Sequence, residues 1–259
     1  MDAAVFPIRR LDFRDLFNIY LRSYFFQGSF SIKSRQNMGF AFCLEPAGRK
    51  LFKNPIDRKA FQLRHTEFFN GNPFMITLVL GAVSHMEERV LDDDGLSLED
   101  ISRFKTAVGK ATGAVGDRFF WRTLRPFGLV MGLLLSISYD IWGVALFLAI
   151  FNIPTMYLRW YWLYKGYMLG PKVVLELKNP NLDRASQTME IFGGVFLAFL
   201  SVAFLSNKEY GFSWISAGTG GIFGLSIILF KLKKSHSVIF VICTGIAFIV
   251  SLIVNASLR

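Results

Sequence analysis

The chain holds 259 residues, carries a formal net charge of +10, and is 53% hydrophobic and 16% aromatic, with 28 phenylalanines. Apolar content at that level excludes a disordered, solvated chain. The positive balance does not point to nucleic acid, because the basic residues cluster beside apolar runs, where they set membrane orientation.

From the start, Met1 to Arg14 is mixed and charged with no continuous apolar stretch. No cleavable signal peptide is visible, so insertion falls to internal spans. Asp12 opens a helix running toward Tyr24, with Phe13, Leu16, Phe17, Tyr20 and Leu21 on one stripe and Arg14 and Arg22 largely opposite. Such a helix lies on a membrane surface or packs on a partner. Gln27-Gly28-Ser29 breaks the pattern. A second helix is expected over Arg35 to Leu51, kinked at Pro46. After the Asn54-Pro55 turn, a third covers Asp57 to Phe69. Asn70-Gly71-Asn72-Pro73 is a strong break, and a fourth apolar helix follows from Phe74 to Met86. These stretches are too short for simple spans and suit core or re-entrant helices.

Leu91 to Asp100 reads as a surface loop, with Ser97 as the next N-cap and Asp100 completing a box-like pattern. Glycines recur at Gly109, Gly113 and Gly116. Small residues four apart let membrane helices approach closely; alternatively they break the helix and expose backbone to a ligand.

The second half changes character. Phe127 to Leu158 is interrupted once, at Ser138-Tyr139-Asp140, and reads as two helices joined by a tight turn. Ile191 to Asn207, Gly211 to Phe230 and Ser237 to Leu258 contain no charge and no polar stripe, each near the length that crosses a bilayer. Lys231, Lys233 and Lys234 put the loop between the last two runs inside. Working back, Lys165 to Arg184 and the group Arg118, Arg122 and Arg125 also fall inside, and the acidic 138–140 turn falls outside. Cys43 and Cys243 lie far apart without metal-ligand spacing and read as small apolar residues in packed helices. The expected fold is an all-α integral membrane protein, a polytopic helical bundle with short or re-entrant helices in the N-terminal half.

Four segments carry a resemblance: LRSYFFQGSF at 21–30, QNMGF at 36–40, RHTEFFNGNPF at 64–74 and GDRFFWRTLRP at 116–126. A weaker fifth combines FNIP at 151–154, RWY at 159–161 and GY at 166–167. In this order and spacing they resemble the IID component of the mannose/fructose/sorbose-family phosphotransferase system. The likeness covers residues 21–170 well and the remainder by hydropathy. It implies a phosphoenolpyruvate-dependent system in which this subunit and a IIC subunit form the channel for mannose-type hexoses. Soluble IIA and IIB proteins would carry the phosphate on histidines, so this chain would transfer none itself. A hetero-oligomer in the bacterial cytoplasmic membrane, crossing it several times, is implied; no cofactor and no nucleic-acid partner is expected. The chain then divides into an N-terminal amphipathic helix and arm (1–33), an IID-like core with short helices and two long spans (34–184), and C-terminal transmembrane helices (185–259).

A sugar presents hydroxyls that both donate and accept, so its site needs amides and carboxylates where water is excluded. Gln36, Asn37, His65, Glu67, Asn70, Asn72 and Glu87 lie beside apolar segments and are the substrate-binding candidates. Some departures from the family pattern are visible. Lys110-Ala111 stands where the family usually has a Gly-Pro break, and Arg118 and Arg122 replace uncharged residues. At ~100° per residue Arg118, Arg122 and Arg125 share one helix face, as an anchor at a span end or as a change beside the sugar path. The alternative function is a degenerate IID-like protein that binds or regulates without transport. A metalloenzyme built on His65/Glu67 and His85/Glu87/Glu88 is disfavoured, because residues two apart on a helix point nearly opposite ways.

Overall fold

The computed structural model describes residues 10–93, 95–178 and 180–205. The expected spans 211–230 and 237–258, the Lys231–Lys234 loop, His236 and Cys243 lie outside the described residues. Within them every regular element is helical; β pairing is confined to isolated bridges of Arg35 with Ser31 and with Phe69.

Helix α1 (Phe13–Arg22) starts where the Asp12 carboxylate accepts from the backbone of Arg14 and Asp15, while Asp15 reaches back to the Asp12 N–H. The reciprocal box satisfies orphan N–H groups of the first turn. Helix α2 (Asn37–Leu51) accommodates Pro46 without ending. Helix α3 (Pro55–Arg64), capped by Asn54, is shorter than its sequence pattern suggests. Its C-terminus is diverted at His65. Thr66 turns back to the Leu63 carbonyl through both its N–H and its hydroxyl, and the Asn37 amide captures the Thr66 carbonyl at 2.7 Å. Residues 65–75 therefore form a loop.

Helix α4 (Ile76–Leu91) begins later and runs further than expected. The delay comes from Asn72, whose Oδ1 accepts from Phe74 and Met75 N–H and winds those residues into a turn of their own. The extension comes from its polar tail, where Ser84, Glu87 and Glu88 are buried among protein partners. Helix α5 (Leu98–Gly116) carries the expected Ser97/Asp100 box and passes unbroken through its glycines. It continues as a π-helix (Asp117–Leu124) and then as α6 (Arg125–Tyr139). The i→i+5 winding keeps Arg118 and Arg122 near one another but carries Arg125 round the axis, so the single face expected of the three arginines is not formed. Helix α7 (Ile141–Leu169) follows the expected turn, where Asp140 takes a positive φ of 41°. A 3-10 stretch (Gly170–Lys178) leads to α8 (Pro180–Leu205).

The chain forms two compact units. Among the described residues, one joins those up to 126 with those from 148 to 187; the other joins 127–147 with those from 188 to 205. The core of the first unit is a continuous apolar cluster in which Ile19, Phe40, Leu44, Val79, Val83 and Leu163 are buried. There α4 and α7 cross with their backbones almost touching. A methyl group on Gly81 would strike the Leu163 carbonyl and the Tyr167 nitrogen, and one on Gly166 the Leu78 carbonyl. In the second unit the Asp140 turn joins α6 to the start of α7. The helical stretch Ile141–Leu177 is long and apolar enough to cross a membrane. Its Ile141, Leu148, Ile153 and Tyr157 are exposed, whereas a soluble core helix would bury them.

Candidate functional site

The loop 65–75 collects most of the candidate residues. Backbone pairing of Gln36 N–H with the Phe69 carbonyl lays the start of α2 along it, and the Gln36 Oε1 accepts the Gly71 N–H at 2.9 Å. Arg35, at a positive φ of 58°, makes the bend that brings Gln36 there. Asn72 is buried and fully used. Beyond its turn contacts, its Nδ2 donates to Asp117 Oδ1 at 2.8 Å, and its side chain covers Gly116. Gly109 lies under Phe69 and the Asn70 carbonyl, so α5 offers the loop a flat glycine surface. Held on both sides, the loop leaves the Asn70 side chain exposed.

His65, Glu67 and Glu87 belong to a second polar centre. Glu87 is buried and accepts from Arg64 Nε at 2.9 Å and from His65 Nε2 at 3.0 Å. Burial alone would raise its pKa, yet the hydrogen bonds from Arg64 and His65 hold it below the ordinary carboxylate value. Burial also depresses His65. Its Nε2–H therefore serves Glu87, and Nδ1 is left as a bare acceptor without a partner. Glu67 turns away toward α5, accepting from Ser102 Oγ at 2.8 Å and from Lys105 Nζ at 3.3 Å. Lys105 is only 2% exposed, and it also donates to the Arg64 carbonyl. Glu87 stands near the far end of α4 from Asn72. At 1.5 Å per residue the interval from Ile76 to Glu87 is about 16 Å, so one hexose cannot touch both. The remaining residues of the disfavoured metal reading are engaged elsewhere. His85 binds the Tyr167 carbonyl, and Glu88 accepts the Leu11 N–H at 2.8 Å and the Tyr167 hydroxyl at 2.8 Å. Among the described residues no three His, Cys, Asp or Glu side chains converge as a metal site.

A third feature was missed by sequence reasoning. Arg159 is 5% exposed, donates to the Ser23 carbonyl and hydroxyl at 2.9 and 3.0 Å, and lies over the rings of Tyr24 and Phe74. Its Nε has no partner. Phe74 in turn meets Phe120, Trp121 and Phe151, with ring centroids 4.6, 5.4 and 5.7 Å away. The segments 64–74, 116–126 and 151–161, far apart in sequence, thus converge on one aromatic ring, and Arg159 links it to Tyr24 of the segment 21–30. The signal available was their shared richness in aromatic and arginine residues. Of the departures, Arg118 pairs with Asp183 at 3.1 Å.

Residues 10–213 match the family described as PTS system mannose/fructose/sorbose family IID component. The PTS system mannose-specific EIID component of Escherichia coli (strain K12) is 32% identical over 188 residues, or 71% of this chain and 66% of that protein. The fructose permease IID component of Bacillus subtilis (strain 168) is 29% identical over 185 residues, 71% of this chain and 67% of that one. The chain thus spans about two thirds of the length of these relatives. Two solved structures share the fold at 24% identity. One is the mannose transporter ManYZ in complex with microcin E492, with a TM-score of 0.60. The other, described as a membrane protein, has a TM-score of 0.69; each alignment covers 96% of this chain and 98% of the matched chain.

Proposed function

Because the chain belongs to the mannose/fructose/sorbose-family IID components of the phosphotransferase system, we propose that it is the IID half of a sugar-translocating channel, paired with a IIC subunit. It crosses the bacterial cytoplasmic membrane more than once and admits a mannose-type hexose. Phosphoryl transfer falls to soluble IIA and IIB partners, and this chain carries none. Its part is to present a rigid polar surface to the sugar.

One observation carries the assignment of that surface. Gln36 and Asn72 spend their hydrogen bonds on fixing the loop, and Asn70 between them is held exposed. Its amide can donate to one hydroxyl and accept from another, and the backbone that carries it is already fixed. Phe74, four residues on, is committed to its ring cluster and steadies the far end of the loop. Asn37 supports the loop from α2, and Arg159 holds Phe74 in place. His65, Glu67 and Glu87 serve the same loop from its other end.

The test is sugar binding by the purified IIC–IID pair in nanodiscs, with labelled mannose, fructose and sorbose. Asn70→Ala should weaken the preferred hexose about tenfold, as one or two hydrogen bonds at ~1 kcal/mol each are lost, without lowering the melting temperature. Binding of no hexose, or parental affinity in Asn70→Ala, would overturn the assignment. A stable phosphate on this chain after incubation with phosphorylated IIB would overturn its non-enzymatic role.

A further inference from the structure

Within the 65–75 loop, residues 68–70 run extended. The Gln36 N–H pairs with the Phe69 carbonyl, and Arg35 lies beside Phe69 as a neighbouring strand would. Successive side chains of an extended chain point to opposite sides, and the contacts follow that alternation. Glu67 turns to Ser102 and Lys105 of α5, and Phe69 packs on Gly109 of the same helix. Phe68 and Asn70 therefore share the other side, away from α5. Both are exposed, Phe68 to 57%. The other phenylalanines of the loop are spent. Phe69 meets Phe40 at 4.5 Å, and Phe74 meets Phe120 at 4.6 Å. Among the described residues Phe68 meets no other ring, and the Asn70 side chain makes no hydrogen bond.

What sets Phe68 apart from other exposed apolar residues is the amide beside it. An acyl chain or an apolar protein surface laid over the ring would bury Asn70 with its donors and acceptor unmet. A pyranose answers both groups. Its axial hydrogens line one face with C–H groups that pack on an aromatic ring, and its hydroxyls project from the rim, where an amide both donates and accepts. Two residues of extended chain separate the ring from the amide by about 6.6 Å, comparable with the width of such a sugar. Resting on the hexose channel proposed above, we infer that Phe68 is the platform on which the sugar ring lies, with Asn70 gripping its rim. Phe68 then decides which hexoses are held, favouring those whose pyranose offers an unbroken C–H face.

The test replaces Phe68 with p-benzoylphenylalanine, whose ketone captures C–H groups in contact with it, in the full chain purified with its IIC partner in nanodiscs. Irradiated with radiolabelled mannose, fructose or sorbose, whichever the parent binds, the chain should retain label, and excess unlabelled sugar should abolish it. Capture of lipid or of the IIC chain in place of sugar overturns the proposal. Phe68→Leu should weaken binding of that hexose about fivefold, and Phe68→Tyr should keep it within about twofold of the parent, both at the parental melting temperature. An equal loss in the two variants overturns the platform. Parental affinity in Phe68→Leu, while Asn70→Ala still weakens binding, overturns it too and leaves the channel reading standing. A parent that binds no hexose overturns both.

Discussion

Asn72 and Asp117 are joined by one hydrogen bond, Nδ2 to Oδ1 at 2.8 Å, across 45 positions of sequence. The bond fastens the loop before α4 to the first residue of the π-helix. The same Asn72 oxygen caps the turn at Phe74 and Met75. Asn72→Ala removes both functions and should cost about 2 kcal/mol, near the upper end for a lost cap. Asp117→Ala removes one and should cost about 1 kcal/mol. The double variant should be no worse than Asn72→Ala alone, because the two share a partner. Thermal unfolding of the purified chain in detergent measures all three; full additivity would show that the bond is not formed.

The glycine crossing makes a sharper contrast. Gly81→Ala places a methyl group against backbone atoms of Leu163 and Tyr167, which cannot swing aside. A loss above about 2 kcal/mol is expected, at the severe end of overpacking. Gly113, in the last turn of α5, has nothing within 4 Å of a built methyl. Gly113→Ala should therefore stabilise by about 0.5–1 kcal/mol, through helix propensity and a less disordered unfolded chain. Equal melting temperatures for the two variants would contradict the close approach of α4 and α7.

Stability should fall in acid, for two reasons of the same sign. His65 is depressed below its ordinary 6.5 by burial. The unfolded chain therefore binds its proton first, and the stability it contributes is lost as pH falls below 6.5. Glu87 is held below its ordinary 4.5 because its hydrogen bonds from Arg64 and His65 outweigh burial. Its contribution is present above 4.5 and lost as pH falls further. The melting temperature should decline in two stages, one as pH falls below 6.5 and one as it falls below 4.5, and His65→Gln should flatten the upper stage. An unchanged upper stage in that variant would place the first titration elsewhere.

Arg159 separates fold from function. A buried cation with no carboxylate beside it is costly to desolvate, and an apolar chain of similar length is often tolerated or preferred. Arg159→Met should leave the melting temperature unchanged or slightly raised. Hexose uptake should drop about tenfold or more as Phe74 and Tyr24 lose the guanidinium between them. Arg159→Lys keeps the charge but not the planar fork and should restore uptake only in part. Uptake that falls only in proportion to stability would make Arg159 a packing residue.

Local chemistry was legible from the start. The Asp12 and Ser97 caps, the break at 70–73 and the turn at 138–140 each rest on side chains acting on their own backbone, and all four formed. What escaped depends on distant residues. Helix α3 stops at Arg64 because Asn37, 29 positions away, takes the Thr66 carbonyl. The π-helix leaves no periodic mark over its eight residues, and its winding redistributes three arginines that a 3.6-residue period groups together. Lys105 reads as one more solvated side chain of a polar helix, yet it is buried between a carbonyl and a carboxylate. The motif segments were visible as strings. Their meeting around Phe74 was not, since Tyr24, Phe74, Trp121 and Arg159 lie on four separate parts of the fold.

The anchoring of Leu11 has a consequence for biogenesis. Its N–H is met by Glu88 at 2.8 Å and by the Tyr167 hydroxyl at 3.2 Å, the latter 156 residues later in the chain. At ordinary rates of synthesis that interval is on the order of ten seconds. For all of that time the first helix has left the ribosome with half of its mooring unmade and without Trp160, the ring against which Phe13 and Phe17 pack. A nascent chain in that condition needs the membrane surface or a chaperone to hold its leading end, and the order of translation, rather than the order of packing, decides when the arm comes to rest.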